Sequence, residues 1–272
     1  MSTQPCIQLN QENGIATLTL NAPEVRNAFD DKIIAALTEQ LQILKQDTSA
    51  RVLVLRGQGE HFSAGANIQW MQRMASATKE ENHQDALKLA ELLYHLNHFN
   101  KPTIALVQGS IYGGAIGLIA CCDIVLAATN SLFCFSEVKL GLVPAIVCPY
   151  VLTAIGSRAA RRYMLTAEPF GAEVALKLGL VHEVLPQEQW VQRLQTLTSA
   201  IQQNAPKATS IAKDLIHTLT EQTQSLPTLS TLPSLSQVEY TARLIADLRV
   251  SEEGQEGLLA FLEKRKARWP SI

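Results

Sequence analysis

Residues 52–55 (Val-Leu-Val-Leu), 103–107 (Thr-Ile-Ala-Leu-Val) and 124–127 (Ile-Val-Leu-Ala) are short, almost continuously apolar runs, and they constrain this chain more than any other feature. Runs of this length and composition predict strands with both faces covered. The first ends at Gly57, and the second in the turn Gly109-Ser110 before a buried helix over 113–121. Residues 14–20 alternate and predict a further strand. A helix opens over Asn27 to Asp31 and runs through Lys45, with Ile33, Ile34, Leu37, Leu41 and Leu44 at helical spacing. Another helix is predicted over 81–99, after a glycine-rich loop over 58–69. Strand, loop and helix thus recur, which predicts an α/β fold with crossover connections.

After Leu185 the pattern becomes almost wholly helical. Pro206 and a linker over Ser225–Pro233 interrupt it, and Ser251 with Glu252 and Glu253 caps a last helix through about Ala267. The shift divides the chain into an α/β core over 1–200 and a helical region over 201–272.

Charge and cysteine content narrow the function classes. A net charge of −2 and a pI near 6.3 give no basic surplus for nucleic acid or an anionic membrane. No apolar run reaches the roughly 18 residues of a membrane span, and the N-terminus lacks the pattern of a secretory signal. The expectation is a cytoplasmic protein. Cys6, Cys121, Cys122, Cys134 and Cys148 are odd in number and form no CxxC, which predicts free thiols, the last four in apolar surroundings. The histidines show no metal-like clustering, and no metal site is expected. Asp123, between two cysteines and a strand, reads as a backbone anchor or salt-bridge partner rather than an acid catalyst.

Three segments carry chemistry. In 62–67 (Phe-Ser-Ala-Gly-Ala-Asn), small residues after a strand allow close backbone approach to a ligand, although an ordinary strand-to-helix loop reads the same way. In 109–117, Gly113 and Gly114 open an apolar helix whose free amides attract negative charge; tight helix packing is the other reading. In 133–144, Glu137 is a lone carboxylate in an apolar run. Desolvation would raise its pKa and make it a usable proton carrier, whereas a solvent-facing pairing with Lys139 or Lys32 would not. Trp70, Met71 and Met74 follow the first segment at helical spacing and suit either core packing or a pocket wall.

Taken together, in order and at their spacings, these segments resemble the crotonase (enoyl-CoA hydratase/isomerase) superfamily. The resemblance begins at residues 17–28, runs through 62–67, 101–109, 122–124 and the Glu137 segment, and ends with 179–181 and 261–266. It implies a spiral of ββα turns with a helical C-terminal region, assembled as a homotrimer or hexamer. It implies an acyl-CoA thioester whose carbonyl oxygen lies between the backbone amides of Ala66 and Gly114, with Glu137 as acid/base. One such donor is typically worth about 3 kcal/mol in the transition state. Ala64 matches the position whose carbonyl reads the adenine amine, and Gly65 and Gly113 flank the two amides. Arg26 matches a contact to the CoA phosphates, and Phe261 and Lys264 match residues that reach a neighbouring subunit's CoA. No metal or redox cofactor is implied; coenzyme A is part of the substrate.

One departure matters. Family hydratases commonly carry a second glutamate three residues after the oxyanion-hole glycine, and Gly117 stands there. Two facing carboxylates divide the work of adding water, whereas one suffices for the proton shuttling of an enoyl-CoA isomerase. The segments 113–124, 136–145 and 157–168 nevertheless look like bacterial hydratases of branched, carboxylated enoyl-CoAs, in which this glutamate is likewise glycine. The run 145–150 (Ala-Ile-Val-Cys-Pro-Tyr) would reshape the acyl pocket. The sequence therefore predicts a hydratase for a branched or carboxylated 2-enoyl-CoA, with an isomerase and a non-catalytic CoA- or RNA-binding protein as alternatives. It also suggests that Gly117→Glu would raise hydration of simple linear enoyl-CoAs if the missing partner is what limits them.

Overall fold

The computed structural model describes residues 5–225 and 234–269. The chain starts with an antiparallel hairpin, β1 (Ile7–Glu12) and β2 (Ile15–Leu20), turning through Asn13 and Gly14 with left-handed backbones. Helix α1 (Asp31–Gln46) follows, and the Asp30 carboxylate accepts from the N–H groups of Lys32 and Ile33 at its start. The five apolar residues at helical spacing on α1 are all buried.

Strand β3 (Val52–Gly57) pairs in parallel with β2. Helices α2 (Ile68–Ala75) and α3 (Lys79–Asn97) then lead to β4 (Thr103–Val107), parallel to β3. From β4 the chain steps into a second sheet as β5 (Ser110–Tyr112), and helix α4 (Gly114–Ala120) returns it. The same step recurs: β6 (Ile124–Ala128) joins the first sheet, β7 (Leu132–Cys134) the second, and α5 (Cys148–Thr166) follows, kinked at Gly156. The units β4–β5–α4 and β6–β7–α5 are successive turns of a ββα spiral. Short β8 (Phe170–Gly171), helix α6 (Ala172–Leu178) and β9 (Glu183–Leu185) complete the sheets. The first sheet has the order β1-β2-β3-β4-β6-β9 and the second β5-β7-β8.

Both faces of the central strands are buried, as the apolar runs required. Leu53, Leu55, Ala105, Val107, Val125 and Ala127 face the main core. Val52, Val54, Ile104, Leu106, Leu126 and Ala128 face a second cluster with Trp190. Helix α7 (Trp190–Gln202) covers that second face with Leu194, Leu197 and Ile201.

The helical region continues with α8 (Pro206–Ser225), α9 (Leu235–Val250) and α10 (Glu252–Leu262). Two polar ties dock it. Lys213 of α8 is buried and donates to the Lys101 carbonyl and to Asp123. Glu253 of α10 accepts from the N–H groups of Lys207 and Ala208, so it caps α8. Asp123 also accepts from the Thr103 N–H and hydroxyl, so it anchors β4 and β6 structurally. The last helix stops at Leu262, short of Ala267. Lys264 turns left-handed, and Arg265 folds back onto Glu256 and Glu263. The linker expected over Ser225–Pro233 lies, beyond Ser225, outside the described residues. The five cysteines are free, with Cys121, Cys122 and Cys134 buried; Cys6 and Cys148 are half-buried. Among the described residues no helix is long and apolar enough to cross a membrane.

Candidate active site

The loop 58–66 has no regular ladder of its own, so buried side chains hold it. Asn27 is fully buried with a left-handed backbone. Its Oδ1 accepts from the Ala22 N–H, and its Nδ2 donates to the carbonyls of Gln58 and His61. His61 Nδ1 then accepts from the Ser110 N–H, and Gln108 donates to the carbonyls of Gly57 and Gly59. Sequence reading missed all three residues. A buried polar residue beside a loop of small residues was the available signal, because such a group must find partners.

This bracing aims two peptides. The Gly65 carbonyl accepts from the Phe29 N–H, and the Asn67 N–H donates to the Phe29 carbonyl. In a trans peptide C=O and N–H point opposite ways, so the Ala66 N–H is turned away from Phe29. Likewise the Gly113 carbonyl accepts from the Ile116 N–H. The Gly114 N–H therefore points outward from the start of α4, where no helical partner exists. Gly65 and Gly113 both have positive φ, and a Cβ on Gly113 would stand 3.4 Å from Glu137 Oε1.

Ala66, Gly114 and Glu137 line one cavity of about 790 Å³. Glu137 opens a short 3-10 turn after β7, and its Oε2 is buried without a hydrogen-bond partner. Burial raises its pKa above the ordinary glutamate value, which favours the protonated, proton-donating form. The surface pairing with Lys139 or Lys32 is absent among the described ion pairs. Trp70, Met71 and Met74 line the cavity, as do Pro144, Ala145, Ile146 and Val147 of the altered segment after β7.

The remaining positions sit elsewhere. The Arg26 carbonyl accepts from the Ala64 N–H, and its side chain is exposed. Ala64 is half-buried beside the cavity rim segment 65–66. Phe261 is exposed on α10 and Lys264 follows it; neither lines this cavity.

The enoyl-CoA hydratase/isomerase family model matches residues 10–271. The chain belongs to this family. It is 30% identical over 259 residues to the 2,3-dehydroadipyl-CoA hydratase of Escherichia coli K12, covering 94% of this chain and 95% of that protein. It is also 27% identical to a trans-2-decenoyl-[acyl-carrier-protein] isomerase of Streptococcus mutans, with 97% of each chain covered. The crystal structure of an enoyl-CoA hydratase from Shewanella pealeana superposes with a TM-score of 0.91 at 40% identity, covering 97% of this chain and 96% of that one.

Within this family fold, Gly117 sits in tight packing. A Cβ there would stand 2.5 Å from Val147 Cγ1 and 2.9 Å from Leu93 Cδ1. The glutamate expected to raise hydration of linear substrates from this position would have to displace packed methyl groups. Overpacking of this kind costs about 1–3 kcal/mol. Gly117→Ala is expected to destabilise the protein by that amount in urea unfolding, and Val147→Ala in the same chain to recover a large part of it. Equal stability of Gly117→Ala and the native chain would contradict this packing.

Proposed function

We propose that this enzyme is an enoyl-CoA hydratase acting on a 2-enoyl-CoA with a branched, apolar acyl group. The observation that carries the reading is the buried, unpartnered Glu137 Oε2 in a cavity shared with Ala66 and Gly114. The thioester oxygen would take hydrogen bonds from the Ala66 and Gly114 amides. As water adds at the β-carbon, negative charge moves onto that oxygen, where preset donors stabilise it without reorganisation. The raised pKa of Glu137 suits it to give its proton to the α-carbon. The reading calls for no metal or redox cofactor, because the two amides supply the stabilisation; coenzyme A arrives with the substrate. The Ala64 carbonyl would read the adenine amine and Arg26 the phosphates, with Gly65 and Gly113 allowing close approach.

Of the branched and carboxylated alternatives, the lining supports the apolar one. Among the described residues no Lys, Arg or His lines the cavity, and the Asp85 carboxylate there would repel a distal carboxylate. The filled space at Gly117 favours a second reading, an enoyl-CoA isomerase in which Glu137 alone moves the proton.

We also propose self-association as a homotrimer or hexamer. Val238, Ile245 and Val250 of α9 and Leu258, Phe261 and Leu262 of α10 are exposed apolar residues, more than a solvated helix pair needs. In such an assembly Phe261 and Lys264 could serve a neighbour's CoA. Sedimentation should give three or six chains per particle; a monomer at working concentration contradicts the assembly.

The catalytic reading is tested with straight, branched and carboxylated 2-enoyl-CoAs on native protein and Glu137→Gln. The branched apolar substrate should show the highest kcat/KM. Glu137→Gln should lower hydration by about 10²–10⁴-fold while still binding a saturated acyl-CoA. Double-bond migration without any water adduct would establish the isomerase instead, and undiminished turnover in the variant would falsify the role of Glu137.

A further inference from the structure

Hydration needs a group to take the proton from water as its oxygen attacks the β-carbon. Glu137, committed to the α-carbon, does not do both easily, and Gly117 has no side chain to share the work. Among the described residues the cavity has one other carboxylate. Asn82, Asp85, Ala86 and Leu89 are the half-buried residues of the first part of α3, and all four line the cavity. Their spacing places them on one face of the helix. Asn82 spends its amide on the carbonyls of Met74, Ala77 and Thr78, which leaves Asp85 as the polar group of that face.

Neighbouring contacts place Asp85 relative to the two amides. Leu89 Cδ2 would be 3.7 Å from a Cβ on Gly114, and Leu93 Cδ1 2.9 Å from one on Gly117. Helices α3 and α4 therefore run in the same sense here. Asp85, one turn before Leu89, lies about 6 Å back along α3, beyond the first residue of α4. That is the space in front of the free Gly114 N–H, into which the acyl chain must extend. Glu137 stands against Gly113. The Trp70 indole N–H donates to Asp85 Oδ1 at 3.3 Å, which orients the carboxylate. Its Oδ2 carries no hydrogen bond from any described residue.

We propose that Asp85 is the second carboxylate of this site, holding the attacking water on Oδ2, with Trp70 as its positioning residue. This rests on the hydratase reading. The water oxygen forms the C–O bond to the β-carbon with its lone pair, and its proton passes to Asp85. The π pair of the double bond moves toward the thioester, leaving an enolate oxygen on the Ala66 and Gly114 amides. The α-carbon takes the carboxyl proton of Glu137. Asp85 then loses a proton to solvent and Glu137 regains one, so the net change is one added water and no oxidation or reduction.

The test measures hydration of the best 2-enoyl-CoA and affinity for its saturated analogue in native protein, Asp85→Asn, Trp70→Phe and the double variant. Asp85→Asn should lower kcat about 100-fold and change the analogue's Kd by less than about 3-fold. Trp70→Phe should lower kcat in the native background and cause no further loss beside Asp85→Asn, because it acts through that carboxylate. An undiminished kcat in Asp85→Asn overturns the role, as does a loss of binding in step with kcat. Equal losses from Trp70→Phe in both backgrounds remove Trp70 from the arrangement and the orientation argument with it. If the native protein hydrates no enoyl-CoA and only migrates a double bond, the hydratase reading itself fails and this role falls with it. Native hydration that survives Asp85→Asn leaves that reading standing and removes only Asp85.

Discussion

Three hydrogen bonds from the buried Asn27 side chain hold the site's first half in register. They tie the segment at Ala22 to the carbonyls of Gln58 and His61. His61 and Gln108 extend the brace to the turn before α4. Because these groups are buried, losing one partner would strand the others at about 1–3 kcal/mol each. The peptides before Ala66 and Gly114 belong to different segments, and this polar web sets their relation. An irregular loop thereby gains the rigidity that oriented donors require.

The cavity in front of those peptides is built against stability. An unpartnered carboxyl in apolar surroundings is costly when ionised, and it favours the protonated form instead. Val147 and Leu93 fill the space at Gly117, and Val147 also lines the cavity. A second carboxylate lines the cavity at Asp85, where Trp70 provides a donor and the residue is half exposed.

Strands were legible where burial is two-sided, as in β3, β4 and β6, or alternates cleanly, as in β2, and hidden where neither holds. The runs that became β3, β4 and β6 carry their faces in their composition. Strand β1 buries Ile7 alone and is otherwise exposed, so its pattern resembles a polar loop despite the Asn13-Gly14 hairpin signal. Strands β5, β7 and β8 have two or three residues each, too few for a period. The end of α10 depended on Arg265 reaching Glu256, a tertiary choice made outside the helix pattern. In the site, Glu137 stood out as a charge in an apolar run, and ordered motifs placed Ala66 and Gly114 beside it. Asp85 lies in the charged first half of α3, where the same composition describes a solvated helix. The pairing of Gly117 with Val147 joins residues in different elements and leaves no local mark.

The account depends most on Glu137 being a proton donor because of where it is buried. Its carboxyl can be followed directly by titrating ¹³C-labelled glutamate in the folded protein, with Glu137→Gln assigning the signal. A midpoint above the ordinary glutamate value of about 4.3 is the predicted result. A midpoint at or below that value would contradict the desolvated, protonated Glu137 on which the mechanism rests.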